Sequence, residues 1–180
     1  MKNYKKAGGF LTPLFKICST NEQREKLNYA FVKDGFVVAS NGICLIKQNL
    51  KSIHDMDDSQ IQLIEGKSFH RLLLKEMWKC DTILFHEDFI EGFVKNVRLT
   101  FNYSIQVEPY DFVNILSGHE INEVLRIGIQ PKQVSILYDV MSGNGNIIFD
   151  FNGTEKAIKV YFNKETISDE VGIIMPCLTS

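Results

Sequence analysis

Four cations fall four residues apart between Gly66 and Lys79: Lys67, Arg71, Lys75 and Lys79. On a helix, that spacing stacks them along one face. Like charges at this separation repel by about 0.2–0.5 kcal/mol per pair, so the row does nothing for the helix itself. It suits a surface that lies against phosphates and tracks a duplex backbone without reading bases. The plainer alternative is a solvated lysine face. A second cluster, His54-Asp55-Met56-Asp57-Asp58, offers an imidazole and three carboxylates. Such a donor set could hold a divalent ion and serve a small metal-dependent hydrolase. It lies in a polar stretch where solvated acids are common, as does His86-Glu87-Asp88 at an expected hairpin tip. Ser40 and Ser117 have no nucleophile context. The phosphate-cradling patterns GxxxxGK[ST] and GxGxxG are missing, and Gly143-Asn144-Gly145 reads as a turn between strands. No pair of carboxylates stands out as an acid/base couple. The chemistry-bearing residues point to a non-catalytic protein, with no cofactor and no metal expected.

The chain has 180 residues, 44% of them hydrophobic, with 13 Phe and 6 Tyr against one Trp. That is enough for one large or two small cores, rich in residues that favour strands. No apolar run reaches the roughly 18–20 residues of a membrane span, so no membrane partner is expected. The basic N-terminus is followed by an apolar stretch, but Pro13 and Lys16 interrupt it, so no secretory signal is expected. Cys18, Cys44, Cys80 and Cys177 have no short spacing and read as free cytosolic thiols. Net charge is −2 overall. Residues 1–80 carry 13 Lys and Arg against 8 Asp and Glu, whereas residues 81–180 carry 7 against 14. Only the N-terminal part could present a basic surface.

The elements that must position these residues run helix then strands, three times. A first helix is expected over Leu11–Cys18, followed by strands Leu27–Val32, Phe36–Ala39 and Ile43–Lys47. Lys33-Asp34-Gly35 and Asn41-Gly42 are the intervening turns. Residues 51–60 read as a polar connection. The helix carrying the cations is expected over Gly66–Lys79, with Phe69, Leu72, Leu73 and Met77 as its apolar stripe. Strands follow at Thr82–His86, Phe89–Val94 and Val97–Tyr103. A third unit opens at Pro109 with a short helix over Tyr110–Leu116. Its strands are expected at Val124–Ile129, Gln133–Val140, Ile147–Phe151, Ala157–Phe162 and Val171–Met175. Gly143–Asn146 and Asn152-Gly153 are read as turns. The class is α+β.

Two separate strings add a resemblance. Residues 27–46 read LNYAFVKDGFVVASNGICLI, and the chain ends VGIIMPCLTS. Together they resemble the bacterial DNA polymerase sliding clamp (beta subunit) family. In that family a strand near an Arg-Pro-x-Leu-like segment leads into a "VATDGHRLA"-like turn, and the chain ends in a strand followed by "MP" and a few residues. Here Ala39, Gly42 and Leu45 keep the pattern, Asn41 replaces Asp, and the His-Arg pair is missing. The resemblance implies a DNA-clamp-like fold of three helix-plus-antiparallel-sheet units. Residues 1–107 would form a clamp-like domain of two units and 108–180 a half domain of one. It implies a cytoplasmic processivity or replication accessory factor, with Lys67, Arg71, Lys75 and Lys79 on double-stranded DNA, weakly and without sequence specificity. Met175, Pro176 and Cys177 would line a groove for polymerase or clamp-loader peptides.

The chain is about half the length of a three-domain clamp subunit. A half domain leaves an edge or face that favours a partner, so a homo-oligomer is expected, and four chains would supply a twelve-unit ring. A reduced clamp of this kind would suit a phage or mobile element. The alternative is a protein-interaction module that keeps the fold, binds partner peptides and has lost DNA.

Overall fold

In the computed structural model, the residues described are 8–104, 106–110, 112, 127–143, 146–151, 156–162 and 169–177. Strands β1 (Tyr29–Lys33), β2 (Phe36–Ser40) and β3 (Cys44–Asn49) form an antiparallel meander. The β1–β2 hairpin turns on Asp34 and Gly35, both at positive φ (53° and 74°), the conformation a two-residue hairpin loop needs. Their N–H groups donate to the Glu65 carboxylate at 2.7 and 3.1 Å.

Helices α1 (Leu50–His54) and α2 (Asp58–Ile64) come next. They occupy the stretch expected to be a polar connection. Its apolar residues are the reason: Leu50, Met56 and Ile64 are buried, and Asp57 with Gln60 forms a capping box that starts α2. Strand β4 (Ser68–His70) pairs with β1, and helix α3 (Arg71–Met77) follows directly. The single helix expected over Gly66–Lys79 is therefore corrected to a strand and a seven-residue helix. Burial of Ser68 and Phe69 against β1 overrides the helical period, and the His70 side chain caps α3 by accepting from the Leu72 N–H.

Strands β5 (Thr82–Phe85), β6 (Phe89–Val94) and β7 (Val97–Asn102) form a three-stranded antiparallel sheet. Helix α4 (Pro131–Val140) replaces the strand expected over Gln133–Val140. Val134 and Ile136 carry β propensity, but the buried residues are Gln133, Leu137 and Val140. Their spacing of four and three, after a proline in the first turn, is helical. Strands β8 (Ile148–Asp150), β9 (Ile158–Tyr161) and β10 (Glu170–Ile174) complete the described strands. The large sheet has the order β4-β1-β2-β3-β10-β9-β8, so β3 and β10 join the two parts of the chain without a break.

The expected first helix is only a 3-10 turn, Leu14–Lys16. The residues before it are held as a strap instead. Phe10 packs on Phe69 and His54, the Leu11 N–H donates to His54 Nδ1 at 2.9 Å, and the Thr12 hydroxyl donates to Gln48 Oε1 at 2.8 Å. Most of the expected helix Tyr110–Leu116, the first half of strand Val124–Ile129, and turn residues 144–145 and 152–153 lie outside the described residues. Tyr110 and Phe112 are described, and both pack on the large sheet.

The large sheet buries both faces. On one, Ala39, Ile46, Val160 and Ile174 meet Leu137, Val140 and Met141 around α4. Gly172 makes room there, because a Cβ on it would stand 3.1 Å from Leu137 Cδ1. On the other, Val38, Leu45 and Ile173 pack with Tyr110 and Phe112.

Candidate peptide pocket

Near the turn between β2 and β3, an apolar cleft of about 340 Å³ opens on the Tyr110 face of the sheet. Leu45 of β3 and Ile173 of β10 are its buried floor, with Ser40 and Cys44 at the ends of their strands. Leu27, from the 3-10 segment Glu22–Asn28, and Gly42 form one wall. Ile43 and Met175 stand at its mouth, 36% and 41% exposed. They are joined through the backbone, the Met175 N–H donating to the Ile43 carbonyl at 2.8 Å. The Tyr110 ring closes the cleft and packs edge-on against Phe31 at 5.5 Å. Its hydroxyl is buried and no hydrogen bond satisfies it. Burial holds its pKa well above the ordinary phenol value, with the neighbouring Cys18 adding to the effect and Ser40 opposing it. Ser40 itself is engaged elsewhere, its Oγ donating to the Cys44 carbonyl at 2.8 Å and accepting from the Gly42 N–H at 3.0 Å.

Among the described residues lining this cleft, none is charged at neutral pH. The Cys44 thiol, pushed up to about 12 by desolvation, stays protonated. An uncharged cleft of this kind can receive apolar side chains. Of the three residues expected at a peptide groove, Met175 lines this cleft. Pro176 and Cys177 continue past the cleft, where the Cys177 N–H donates to the Gly128 carbonyl at 2.8 Å. Tyr110, Leu27 and Ile43 were not singled out from sequence, although the string at 27–46 contains two of them. Their convergence depends on the β3–β10 pairing, which brings residues some 130 positions apart to one sheet end.

The expected cationic row is dispersed. Lys67 precedes β4, holds its Nζ 3.6 Å over the Tyr103 ring and donates to the Glu87 carbonyl. Arg71 opens α3, and its Nε is buried without a hydrogen bond. Lys75 is exposed on α3. Lys79 lies two residues beyond the helix and pairs with Glu76 at 2.6 Å. Helices α3 and α4 both pack on the Leu14–Lys16 turn. Lys16 there pairs with Asp139 of α4 at 2.7 Å.

The residues considered as a metal cluster have separate duties. His54 is buried with Nδ1 facing Leu11, Asp57 caps α2, and Asp58 pairs with Lys51 at 3.0 Å. Among the described residues, no group of three His, Cys, Asp or Glu is placed to hold an ion. No helix among them is long and apolar enough to cross a membrane.

No family model matches the sequence, and no curated protein matches it. Solved structures do match. The DNA polymerase sliding clamp of Bacillus subtilis superposes with a TM-score of 0.62 at 14% identity, over 93% of this chain and 62% of that one. DNA polymerase III subunit beta of Borrelia burgdorferi, in complex with a natural product, gives 0.65 at 11%, over 93% and 61%. The DnaN sliding clamp of Bartonella birtlesii, bound to griselimycin, gives 0.61 at 12%, over 94% and 64%. The chain thus has the α+β fold of bacterial sliding clamps in shortened form. It spans about three-fifths of the length of the clamps it matches.

Proposed function

We propose that the protein is a non-catalytic, clamp-like accessory factor of DNA replication. Partners such as a polymerase or a clamp loader would dock on it through short apolar peptides. The observation that carries this reading is the cleft at Ile43, Tyr110 and Met175. It is uncharged among its described lining residues and open at its mouth, and all of that lining except Tyr110 comes from the two strings that resemble the clamp family. Its volume sits at the lower end of the roughly 300–1,000 Å³ of small-molecule sites, enough for a few apolar side chains. Met175→Glu tests it, because this exposed side chain can change without loss of the core. The variant is expected to keep its melting temperature and lose binding of acetyl-Leu-Leu-Phe-amide by calorimetric titration. Equal binding by variant and parent would remove the pocket from the reading.

On this reading the protein also associates with double-stranded DNA, weakly and without sequence preference, and works as a homo-oligomer in the cytoplasm. The second reading, a peptide-binding module without DNA, draws support from the charge pairing. Lys16, Lys67 and Lys79 each already have a partner, which leaves Lys75 and Arg71 as the least engaged cations of that region. Anisotropy of a labelled 30-base-pair duplex decides between the two. Binding that falls steeply between 50 and 200 mM salt, and weakens when Lys67, Arg71, Lys75 and Lys79 are all replaced by Ala, supports the DNA role. No binding at the lower salt leaves the peptide module.

A further inference from the structure

Helix α4 and the floor of the cleft lie on opposite faces of the large sheet, and one side chain of α4 reaches the β2–β3 turn at the edge of the cleft. Gln133 is buried in the first turn of α4. Its Oε1 accepts from Cys44 Sγ at 3.2 Å and from Asn41 Nδ2 at 3.3 Å. The donors flank Gly42 and Ile43: Asn41 opens the turn and Cys44 is the first residue of β3 after it. The other amide atom of Asn41, Oδ1, accepts from the N–H groups of Ile43 and Cys44 at 2.9 Å each. Asn41 therefore folds the turn and, through its second amide atom, fastens it to the helix.

We propose that Gln133 is a positioning residue for the cleft: from the opposite face of the sheet it fixes where Ile43 stands against Met175, and so sets the width of the mouth. This deepens the pocket reading above and rests on it. Apolar burial does not fix the turn, since Gly42 and Ile43 are exposed and Gly42 sits at a φ of 88°. Its position comes from directed hydrogen bonds, and Gln133 supplies the acceptor that belongs to a different element. The Ile43 carbonyl in turn receives the Met175 N–H, so a displaced turn moves both lips of the mouth. A change in the seating of α4 is thereby felt at the peptide site, and a bound peptide is felt by α4.

The full chain carrying Gln133→Leu or Gln133→Glu tests this against the parent. Leucine keeps the bulk and removes the acceptor, while glutamate keeps a carbonyl oxygen in place. Two quantities are read: the ¹³C-methyl signals of Ile43 and Met175, and affinity for acetyl-Leu-Leu-Phe-amide. Gln133→Leu should shift both methyl signals and weaken the probe about five- to tenfold, the scale of one or two lost hydrogen bonds. Gln133→Glu should restore both readouts to near the parent's. Cys44→Ala, which removes one of the donors, should shift the same two signals if Gln133→Leu fails to fold. Unmoved methyl signals in Gln133→Leu, or a Gln133→Glu variant as impaired as leucine, would overturn the assignment. A parent that ignores the probe would count against the pocket reading, while the methyl signals would still judge Gln133.

Discussion

His54 should make the fold acid-sensitive well above the range where most carboxylates titrate. Its ring is fully buried, and desolvation lowers its pKa from 6.5 to about 3. The unfolded chain takes up the proton near pH 6.5, while the folded chain refuses it until about pH 3. The stabilising contribution is therefore complete above pH 6.5 and is lost as the pH falls from there toward 3. Between pH 7.5 and 4.5 the loss amounts to about 2.5 kcal/mol, against a typical total of about 5–15 kcal/mol for a domain. Protonation would also convert Nδ1 from the acceptor of the Leu11 N–H into a donor, which releases the strap at residues 10–12. Two other groups add to the pH dependence. His70, partly exposed and with its pKa lowered by desolvation and by Arg71, acts in the same direction. Glu170, raised by burial despite its bonds to Gln48 and Ser142, acts in the opposite one, its contribution being lost as the pH rises. Urea melts of the parent and of His54→Asn at pH 7.5 and 4.5 separate these effects. The Asn carbonyl can still accept from Leu11 but does not titrate. The variant starts less stable, having lost the ring packed on Phe10, and it should lose about 2.5 kcal/mol less than the parent across the interval. Equal losses in the two proteins would refute the assignment of the acid response to His54.

Other expectations are simpler to state. Tyr110→Phe removes a buried hydroxyl that no hydrogen bond satisfies, so stability should be unchanged or rise by up to about 1 kcal/mol in urea melts. A loss of that size would mean that Ser40 satisfies the phenol after all. Leu137→Ala, at a fully buried position facing Gly172, should cost about 3 kcal/mol by thermal or urea unfolding; a loss under about 1 kcal/mol would contradict the packing of α4 on β10.

The sequence alone determined what local rules govern. Apolar runs bounded by Asp34-Gly35 and Asn41-Gly42 marked the β1–β3 meander, and the runs at 82–86, 89–94 and 97–103 marked the small sheet to within a residue. Two short strings at 27–46 and 171–177 were enough to suggest a clamp. Where burial on a distant element outweighed local pattern, the sequence misled. Phe69 belongs to a strand because β1 offers it an edge, so the tidy four-residue row of cations is not a row. Val134 and Ile136 look like a strand, but Leu137 and Val140 are buried by β10 only as parts of a helix. The polar residues 51–60 hide two helices because His54 and Met56 are covered by segments remote in sequence. The cleft belongs wholly to tertiary structure. Its lining comes from positions 27, 40, 42–45, 110, 173 and 175, and the β3–β10 ladder brings 43–45 beside 173–175. Spacing along the chain records hydrogen bonds and turns between neighbours, whereas a pocket is made where distant strands end side by side.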